Sequence, residues 1–142
     1  MTESATREAS PLDEALSAVG DRWSLLIVEA LLAGPQRFAD LRAEVQGIAP
    51  NILSGRLRRL QDHGVVVARR YSERPPRASY ELSDEGRALA GALRLLAGWG
   101  ARQTGAAEAP RHRPCGTPME AVWYCPTCER PAGDEENELR FV

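Results

Sequence analysis

The sequence PNILSGRLRRLQDHG, residues 50 to 64, constrains the fold more than any other stretch, because it is patterned as an amphipathic helix followed directly by strand-forming residues. Pro50 suits the first turn of a helix, where its missing N–H is not needed, and Gly64 suits the residue after the last turn. Between them Leu53, Leu57 and Leu60 recur at i, i+4 and i+7. The pattern predicts a helix that buries one leucine stripe.

The opposite face of this predicted helix carries no large apolar side chain. It consists of Asn51, Ser54, Gly55, Arg58 and Asp62. A small, polar and partly cationic surface fits the major groove of DNA, where Asn can pair with adenine and Arg with guanine. We therefore expect Asn51, Ser54 and Arg58 to reach base edges.

A β-hairpin is predicted to follow the helix. VVVARRY at 65–71 is β-branched and then polar, SERPPRA at 72–78 is a Pro-rich turn, and ASYEL at 78–82 is a second strand. The tip of this hairpin is basic, since it carries Arg74 and Arg77. We expect these two side chains to contact the minor groove or its phosphates.

Basic charge is concentrated in the middle of the chain. Residues 37 to 77 hold nine arginines and four acids, a balance of +5, whereas the whole chain carries −2. This asymmetry is typical of a protein that offers one face to phosphate, although a salt-bridged helix face is the alternative. Arg56 and Arg59 are expected to contact the DNA backbone, with solvent exposure or an internal ion pair left open. Arg69 and Arg70 alternate along a strand, so at most one of them faces DNA.

Three helices are predicted before residue 50 and one after the hairpin. Pro11 lies in the first turn of the first helix, which stops at Gly20; Asp21 caps the second, and the third ends at Gly47. Ser83 caps the last helix, whose apolar stripe is expected to be core or dimer seam. That stripe consists of Leu89, Leu93, Leu96 and Trp99.

The order of four helices, a hairpin and a helix is that of a winged helix-turn-helix, and the residues resemble the HxlR family of bacterial transcription regulators from about residue 11 to 100. ALSAVGDRWSLLIVEALLAGPQRFADLR is similar to the opening segment of that family, GIAPNILSGRLRRLQDHGVV to its recognition helix, and RPPRASYELSDEGRAL to its wing and exit. The resemblance implies a sequence-specific DNA-binding repressor. It also implies a homodimer on a pseudo-palindromic operator, with the terminal helices forming the dimer interface.

Two further expectations come from the resemblance. Many members carry a redox-sensing cysteine just before the first helix, and Ser10 stands at about that place here, so the resemblance does not extend to such a sensor. Regulators of this kind often bind a small-molecule effector at the dimer interface. Trp23, Phe38 and Trp99 could line such a pocket, and each is also explained as a core residue.

The segment after Gly100 changes in composition and contains all three cysteines of the chain. His112 and Cys115, then Cys125 and Cys128, form two ligand pairs with the spacing of a zinc ribbon. We expect a hairpin between the pairs, with GTP as its turn and residues 122–124 as its second strand. A segment this small cannot fold on apolar burial alone, so bound zinc would supply most of its stability.

Other interpretations of these cysteines stay open. Asp134 or Glu135 could replace His112 as the fourth ligand, and a tail with reduced thiols would need no metal. A redox pair at CPTC is the remaining alternative, but a thioredoxin-like pair belongs at a helix N-terminus within a βαβ unit, a pattern that this sequence lacks.

The chain is therefore predicted to be mainly α (α+β), a winged helix-turn-helix with flanking dimerisation helices and a small C-terminal zinc-ribbon-like hairpin. The predicted segments are a flexible N-terminus at 1–10, the DNA-binding domain at 11–102, a linker at 103–111, the zinc-ribbon-like segment at 112–131 and an acidic tail at 132–142.

Other function classes fit the sequence less well. Two histidines and scattered acids assemble no nucleophile with its base, so we expect no enzyme. No apolar run is long enough to span a bilayer, and the N-terminus is polar, so a cytoplasmic location is expected. The alternative function is a winged-helix and zinc-ribbon module that docks on the transcription machinery. The joint presence of Arg58, Arg74 and Arg77 favours DNA.

Overall fold

The computed structural model describes residues 9 to 105 and 111 to 133. Most of the predicted flexible N-terminus, linker and acidic tail lies outside these residues, as do Asp134 and Glu135. The chain divides into two compact units, of which the first ends at Leu93 and the second begins at Arg94. None of the helices in the described part of the chain is long and apolar enough to cross a membrane.

The first unit has the element order of a winged helix-turn-helix. Its elements are α1 (Pro11–Val19), α2 (Arg22–Leu31), β1 (Gln36–Arg37), α3 (Phe38–Glu44), α4 (Pro50–Asp62), β2 (Val66–Glu73), β3 (Pro76–Leu82) and α5 (Asp84–Ala88). A further helix, α6 (Ala90–Thr104), crosses the boundary between the units. The four helices predicted before the hairpin, and the hairpin itself, are confirmed.

Side-chain caps begin three of these helices. The Ser10 hydroxyl accepts a hydrogen bond from the Asp13 N–H at 3.1 Å, so Ser10 is the N-cap of α1. Asp21 caps α2 and Ser83 caps α5, as the sequence predicts. Each such cap stabilises its helix by about 1 kcal/mol.

The core of the first unit is formed by one face of each main helix against the sheet. Leu53, Leu57 and Leu60 are at most 1% exposed, which confirms the leucine stripe of α4. They pack in one cluster with buried residues of α2, α3 and the two long strands. Because this stripe is buried, the opposite face of α4 is turned to solvent.

The wing differs from the predicted hairpin in its turn. Pairing continues through Ser72 with Arg77 and Glu73 with Pro76, so only Arg74 and Pro75 form the turn, and the prediction of a turn at 72–78 is wrong. Pro76 lies at the first position of β3, and that position tolerates the missing N–H of proline. The short strand β1, which was not predicted, pairs with β3 to complete a three-stranded sheet.

The helix predicted after Ser83 is two helices, α5 and α6, separated at Leu89. There the Leu89 N–H donates to the Gly86 carbonyl at 3.2 Å, a tighter turn than that of an α-helix. Leu89 and Leu93 pack against the core, whereas Leu96 and Trp99 are 52% and 55% exposed. Only the first half of the predicted stripe is therefore core, and α6 extends into the predicted linker as far as Thr104.

The second unit contains two short strands, β4 (Trp123–Cys125) and β5 (Arg130–Ala132), which pair antiparallel. The prediction that residues 122–124 pair back across the segment between the two ligand pairs is wrong. Their partner strand instead follows the Cys125-to-Cys128 loop, with Cys125 opposite Arg130. A separate bridge joins Arg111 to Pro118 around the first ligand pair.

Candidate nucleic-acid interface

The outer face of α4 presents polar side chains that the rest of the described chain does not use. Asn51, Ser54 and Arg58 are all exposed, and they share one face because they are spaced at i, i+3 and i+7. Within residues 9–105 and 111–133, the guanidinium of Arg58 makes no hydrogen bond, ion pair or ring contact. These groups are therefore available to an external partner.

Gly55 lies in the middle of the same face, where no side chain projects from the helix surface. A Cβ placed on Gly55 would meet no atom within 4 Å, so nothing inside the protein requires glycine there. Glycine in a helix interior costs about 0.5–1 kcal/mol relative to alanine. The absence of a side chain leaves room for another molecule to approach the helix backbone.

Arg56 and Arg59 instead hold α4 against the first two helices. Arg56 Nε donates to Asp21 Oδ1 at 2.9 Å, and the two side chains are 32% and 30% exposed. Arg59 donates to the backbone carbonyl of Ser17. For Arg56 the observed contact is the internal ion pair that the sequence left open. A contact of Arg56 with the DNA backbone stays a prediction.

The carboxylate of Asp21 organises this contact. Burial raises the pKa of Asp21. Hydrogen bonds from the Ser24 hydroxyl and N–H, together with the charge of Arg56, lower that pKa by more than burial raises it, so the pKa of Asp21 lies below its ordinary value. The Ser24 hydroxyl is fully buried and donates to Oδ2 at 2.6 Å. Asp21 therefore stays ionised at neutral pH, and it joins the N-cap of α2 to α4.

The wing carries its own exposed cations. Arg74 and Arg77 are exposed at the tip, and among the described residues neither has a hydrogen-bonding or ionic partner. Arg69 is paired with Glu81, whereas Arg70 has no such partner in the described part of the chain. That at most one of Arg69 and Arg70 faces DNA stays a prediction.

Sequence reasoning gave no role to Arg42, although it counted its charge. Arg42 lies near the end of α3, the helix before the recognition helix, and is exposed. In a helix-turn-helix the helix that precedes the recognition helix crosses the DNA backbone. The position of Arg42 on that helix is the sequence signal that would predict a phosphate contact.

The residues predicted to line an effector pocket lie in different surroundings. Trp23 and Phe38 are partly buried and pack against the core of the first unit, and Trp99 is exposed. A cavity of about 480 Å³ opens elsewhere in that unit, between α2 and the end of α3. It is lined by Arg22, Leu26, Glu29, Ala30, Glu44, Val45 and Gln46. The effector pocket at the aromatic residues stays a prediction.

The predicted metal ligands form two separate pairs. His112 Nδ1 lies 3.2 Å from the Sγ of Cys115, whose pKa is lowered by the Thr117 hydroxyl at 3.2 Å. Backbone and side-chain hydrogen bonds from Cys128 and the backbone N–H of Thr127 lower the pKa of Cys125. No disulfide links the three cysteines, and in the described residues no three His, Cys, Asp or Glu side chains are grouped closely enough to hold a metal ion.

Comparison with known proteins establishes the family of this chain. The HxlR-like helix-turn-helix family matches residues 18 to 108, more than half of the sequence. The chain belongs to this family. A relative, an uncharacterized HTH-type transcriptional regulator of Mycobacterium tuberculosis, is 35% identical over 125 residues, which cover 85% of this chain and 78% of the relative. YtcD, an uncharacterized HTH-type transcriptional regulator of Bacillus subtilis, is 34% identical over 90 residues, or 63% of this chain and 71% of YtcD.

Solved structures agree with the HxlR assignment. A crystal structure of ytcD matches with a TM-score of 0.64 and 33% identity over 68% of this chain and 98% of ytcD. The reduced form of the redox regulator HypR matches with a TM-score of 0.63 and 27% identity over 67% of this chain and 94% of HypR. The chain is thus a DNA-binding transcriptional regulator of the HTH type.

Proposed function

We propose that this protein is a repressor that binds a pseudo-palindromic operator as a homodimer. The observation that carries the proposal is the exposed face of α4, on which Asn51, Ser54 and Arg58 lie around Gly55 without partners in the described part of the chain. In a helix-turn-helix, residues near the N-terminus of the recognition helix contact base edges. Asn51 is the second residue of α4 and therefore lies at that end.

Different arginines have different roles in this proposal. Arg58 reads a base, because a guanidinium on the groove-facing side of α4 can bind the two acceptors of a guanine. Arg74 and Arg77 bind the minor groove or its phosphates from the wing, and Arg59 contacts phosphate beside its bond to Ser17. Arg56 is left out, since its guanidinium is bound to Asp21.

Apolar residues that remain exposed on both terminal helices support a homodimer. On α1, Leu12 and Leu16 are 66% and 48% exposed, and on α6 Leu95, Leu96 and Trp99 are between 52% and 55% exposed. Exposed apolar side chains grouped on a helix mark interaction surfaces. A two-fold dimer is the commonest closed assembly, and it would present two copies of α4 to two half-sites.

Repression requires fewer binding surfaces on this chain than activation does. A bound dimer represses by covering a promoter, which needs only the dimer seam and the DNA-binding surface. Activation needs in addition a surface that binds the transcription machinery. The regulator is therefore assigned as a repressor, and docking on that machinery without DNA is the competing function.

The first test is fluorescence anisotropy of the protein against labelled duplexes that tile its own upstream intergenic region, with an unrelated duplex as control, at two salt concentrations. We expect saturable binding to one tile with a preference of about 10³-fold or more over the unrelated duplex. Equal, salt-sensitive binding to every duplex would be non-specific and would contradict the proposal that this region contains an operator. No binding to any duplex would favour the docking function.

Two arginine variants then separate the predicted roles on that tile. Arg58→Ala should weaken operator binding by about 1–3 kcal/mol and relax base preference at one position, whereas Arg74→Ala should weaken all duplexes alike and lower the salt slope by about 1. Arg87→Ala, at an arginine paired with Asp84 on α5, is the matched control and should change neither property. Unchanged affinity and base preference in Arg58→Ala would show that α4 does not read the operator.

A further inference from the structure

The second unit contains two four-residue loops of the same construction. One runs from His112 to Cys115 with the sequence HRPC, and the other from Cys125 to Cys128 with the sequence CPTC. Both place a metal-ligating side chain at each end and a proline between them. Each loop is also flanked by an antiparallel pairing, the Arg111 bridge for the first and β4 with β5 for the second.

The first loop holds its two side chains near the spacing that a metal requires. The N–H groups of Cys115 and Gly116 both donate to the His112 carbonyl, at 3.3 and 2.7 Å, which folds the loop back on itself. His112 Nδ1 then lies 3.2 Å from Cys115 Sγ. Zinc lies about 2.3 Å from sulfur and about 2.0 Å from nitrogen, so two such ligands of a tetrahedral ion are roughly 3.5 Å apart.

The second loop shares one backbone feature with the first. Glu129, directly after the second cysteine, has φ +52°, and Gly116, directly after Cys115, has φ +70°. The left-handed residue therefore follows the second ligand in both loops.

Glu129 is the only non-glycine residue with a positive φ in the described part of the chain. A side chain in this conformation is strained, and the surroundings must offset that strain. The second unit has no apolar core that could do so, because none of its described residues is buried. Val122, Trp123 and Tyr124 are between 58% and 66% exposed.

We propose that His112, Cys115, Cys125 and Cys128 bind one Zn²⁺ ion between them, and that this ion draws the two loops together. Three thiolates and an imidazole form a closed tetrahedral set, which is typical of structural zinc sites. In the described residues the two pairs do not yet form one group, so each loop is half of the site and metal binding completes it. Zinc then supplies the stability that apolar burial does not supply to this unit.

This inference rests on the second unit alone and does not depend on the proposed DNA contacts. Failure to find operator binding would therefore not contradict the zinc proposal, and absence of zinc would not contradict the proposed operator binding.

The test is the zinc content of the full-length chain, purified in reducing buffer without added metal, together with the absorption spectrum after replacement by Co²⁺. We expect one zinc per chain and a Co²⁺ spectrum with thiolate charge-transfer bands and the intense ligand-field bands of a tetrahedral site. Zinc content near zero together with no tetrahedral Co²⁺ spectrum would overturn the proposal. A Cys125–Cys128 disulfide found by mass spectrometry in chain purified with a reductant would overturn it as well.

The fourth ligand is tested with the two histidines of the chain. His112→Asn should weaken zinc binding by at least the roughly 10–100-fold expected for loss of an outer-shell group, measured by competition with a chromogenic chelator. His63→Asn, at the end of α4, is the matched control and should bind zinc as the parent does. Equal zinc affinity in His112→Asn and the parent would overturn the assignment of His112. A loss confined to Asp134→Asn or Glu135→Gln would overturn it in favour of a carboxylate.

Discussion

Gly55 makes the docking of α4 testable, because stability and DNA binding should respond to its replacement in opposite directions. The substitution is Gly55→Gln, which adds an uncharged side chain to the exposed face of α4. A Cβ at this position meets nothing within 4 Å, so the free protein has room for it. Glutamine is also a much better helix former than glycine.

The expected gain in stability follows from helix propensity alone. Replacement of glycine by glutamine in an exposed helix interior should stabilise the fold by about 0.5 kcal/mol. For a DNA-binding unit of this size that gain should raise the melting temperature by about 2–4 °C. Thermal unfolding followed by circular dichroism measures it.

The expected loss in DNA binding follows from the groove. A glutamine side chain on this face would hold α4 away from the bases and weaken the contacts of Asn51 and Arg58, each worth about 1–3 kcal/mol. Operator affinity should then fall by about 2 kcal/mol, or roughly 30-fold, in the anisotropy assay. Gly55→Ala is the control, since it gives the stability gain with a single methyl group.

A Gly55→Gln protein that melts higher and still binds its operator within twofold of the parent would refute the reasoning. It would show that the face of α4 around Gly55 does not lie against DNA, and the base contacts assigned to Asn51, Ser54 and Arg58 would fall with it.

Two further predictions concern how α4 is held in the fold. Leu57→Ala should lower the free energy of unfolding by about 2–5 kcal/mol, because Leu57 is 1% exposed in the leucine stripe, and urea denaturation that shows a loss below about 1 kcal/mol would contradict this packing. The lowered pKa of Asp21 means that its contribution to stability is present above its ordinary pKa of 3.8 and is lost as the pH falls below that value, since the unfolded chain then binds more protons. Asp21→Asn should therefore unfold with a flatter dependence on acid pH than the parent, and identical acid profiles would show that the carboxylate contributes nothing.

Much of the candidate interface was predictable because it depends on local spacing. The leucine stripe of α4 alone determined which face is buried, and hence that Asn51, Ser54 and Arg58 face outward. Charge type was not enough to tell one arginine from another. Whether Arg56 or Arg58 is available depends on whether Asp21, 35 residues away from Arg56 in sequence, lies opposite it.

The two sequence predictions that the structure corrects, the turn of the wing and the single last helix, also depend on contacts between residues distant in sequence. Proline at the start of β3 was interpreted as part of a loop because the identity of its partner strand, which decides whether its missing N–H matters, is not a local property. The break at Leu89 was missed for a related reason. The last helix has continuous helical spacing, and the tighter turn lies where Gly86 approaches the Val65 carbonyl so closely that a Cβ would lie 2.2 Å from it.

The sequence by itself determined the order of helices and strands, the caps at Asp21 and Ser83, and the pairing of potential ligands in the second unit, because each depends on residues within a few positions of one another. Only the tertiary structure decided which arginines are bound internally, where the wing turns and which part of the last helix joins the core. Those features depend on groups that are distant in the chain and adjacent in space, and a sequence pattern carries no signal for such contacts.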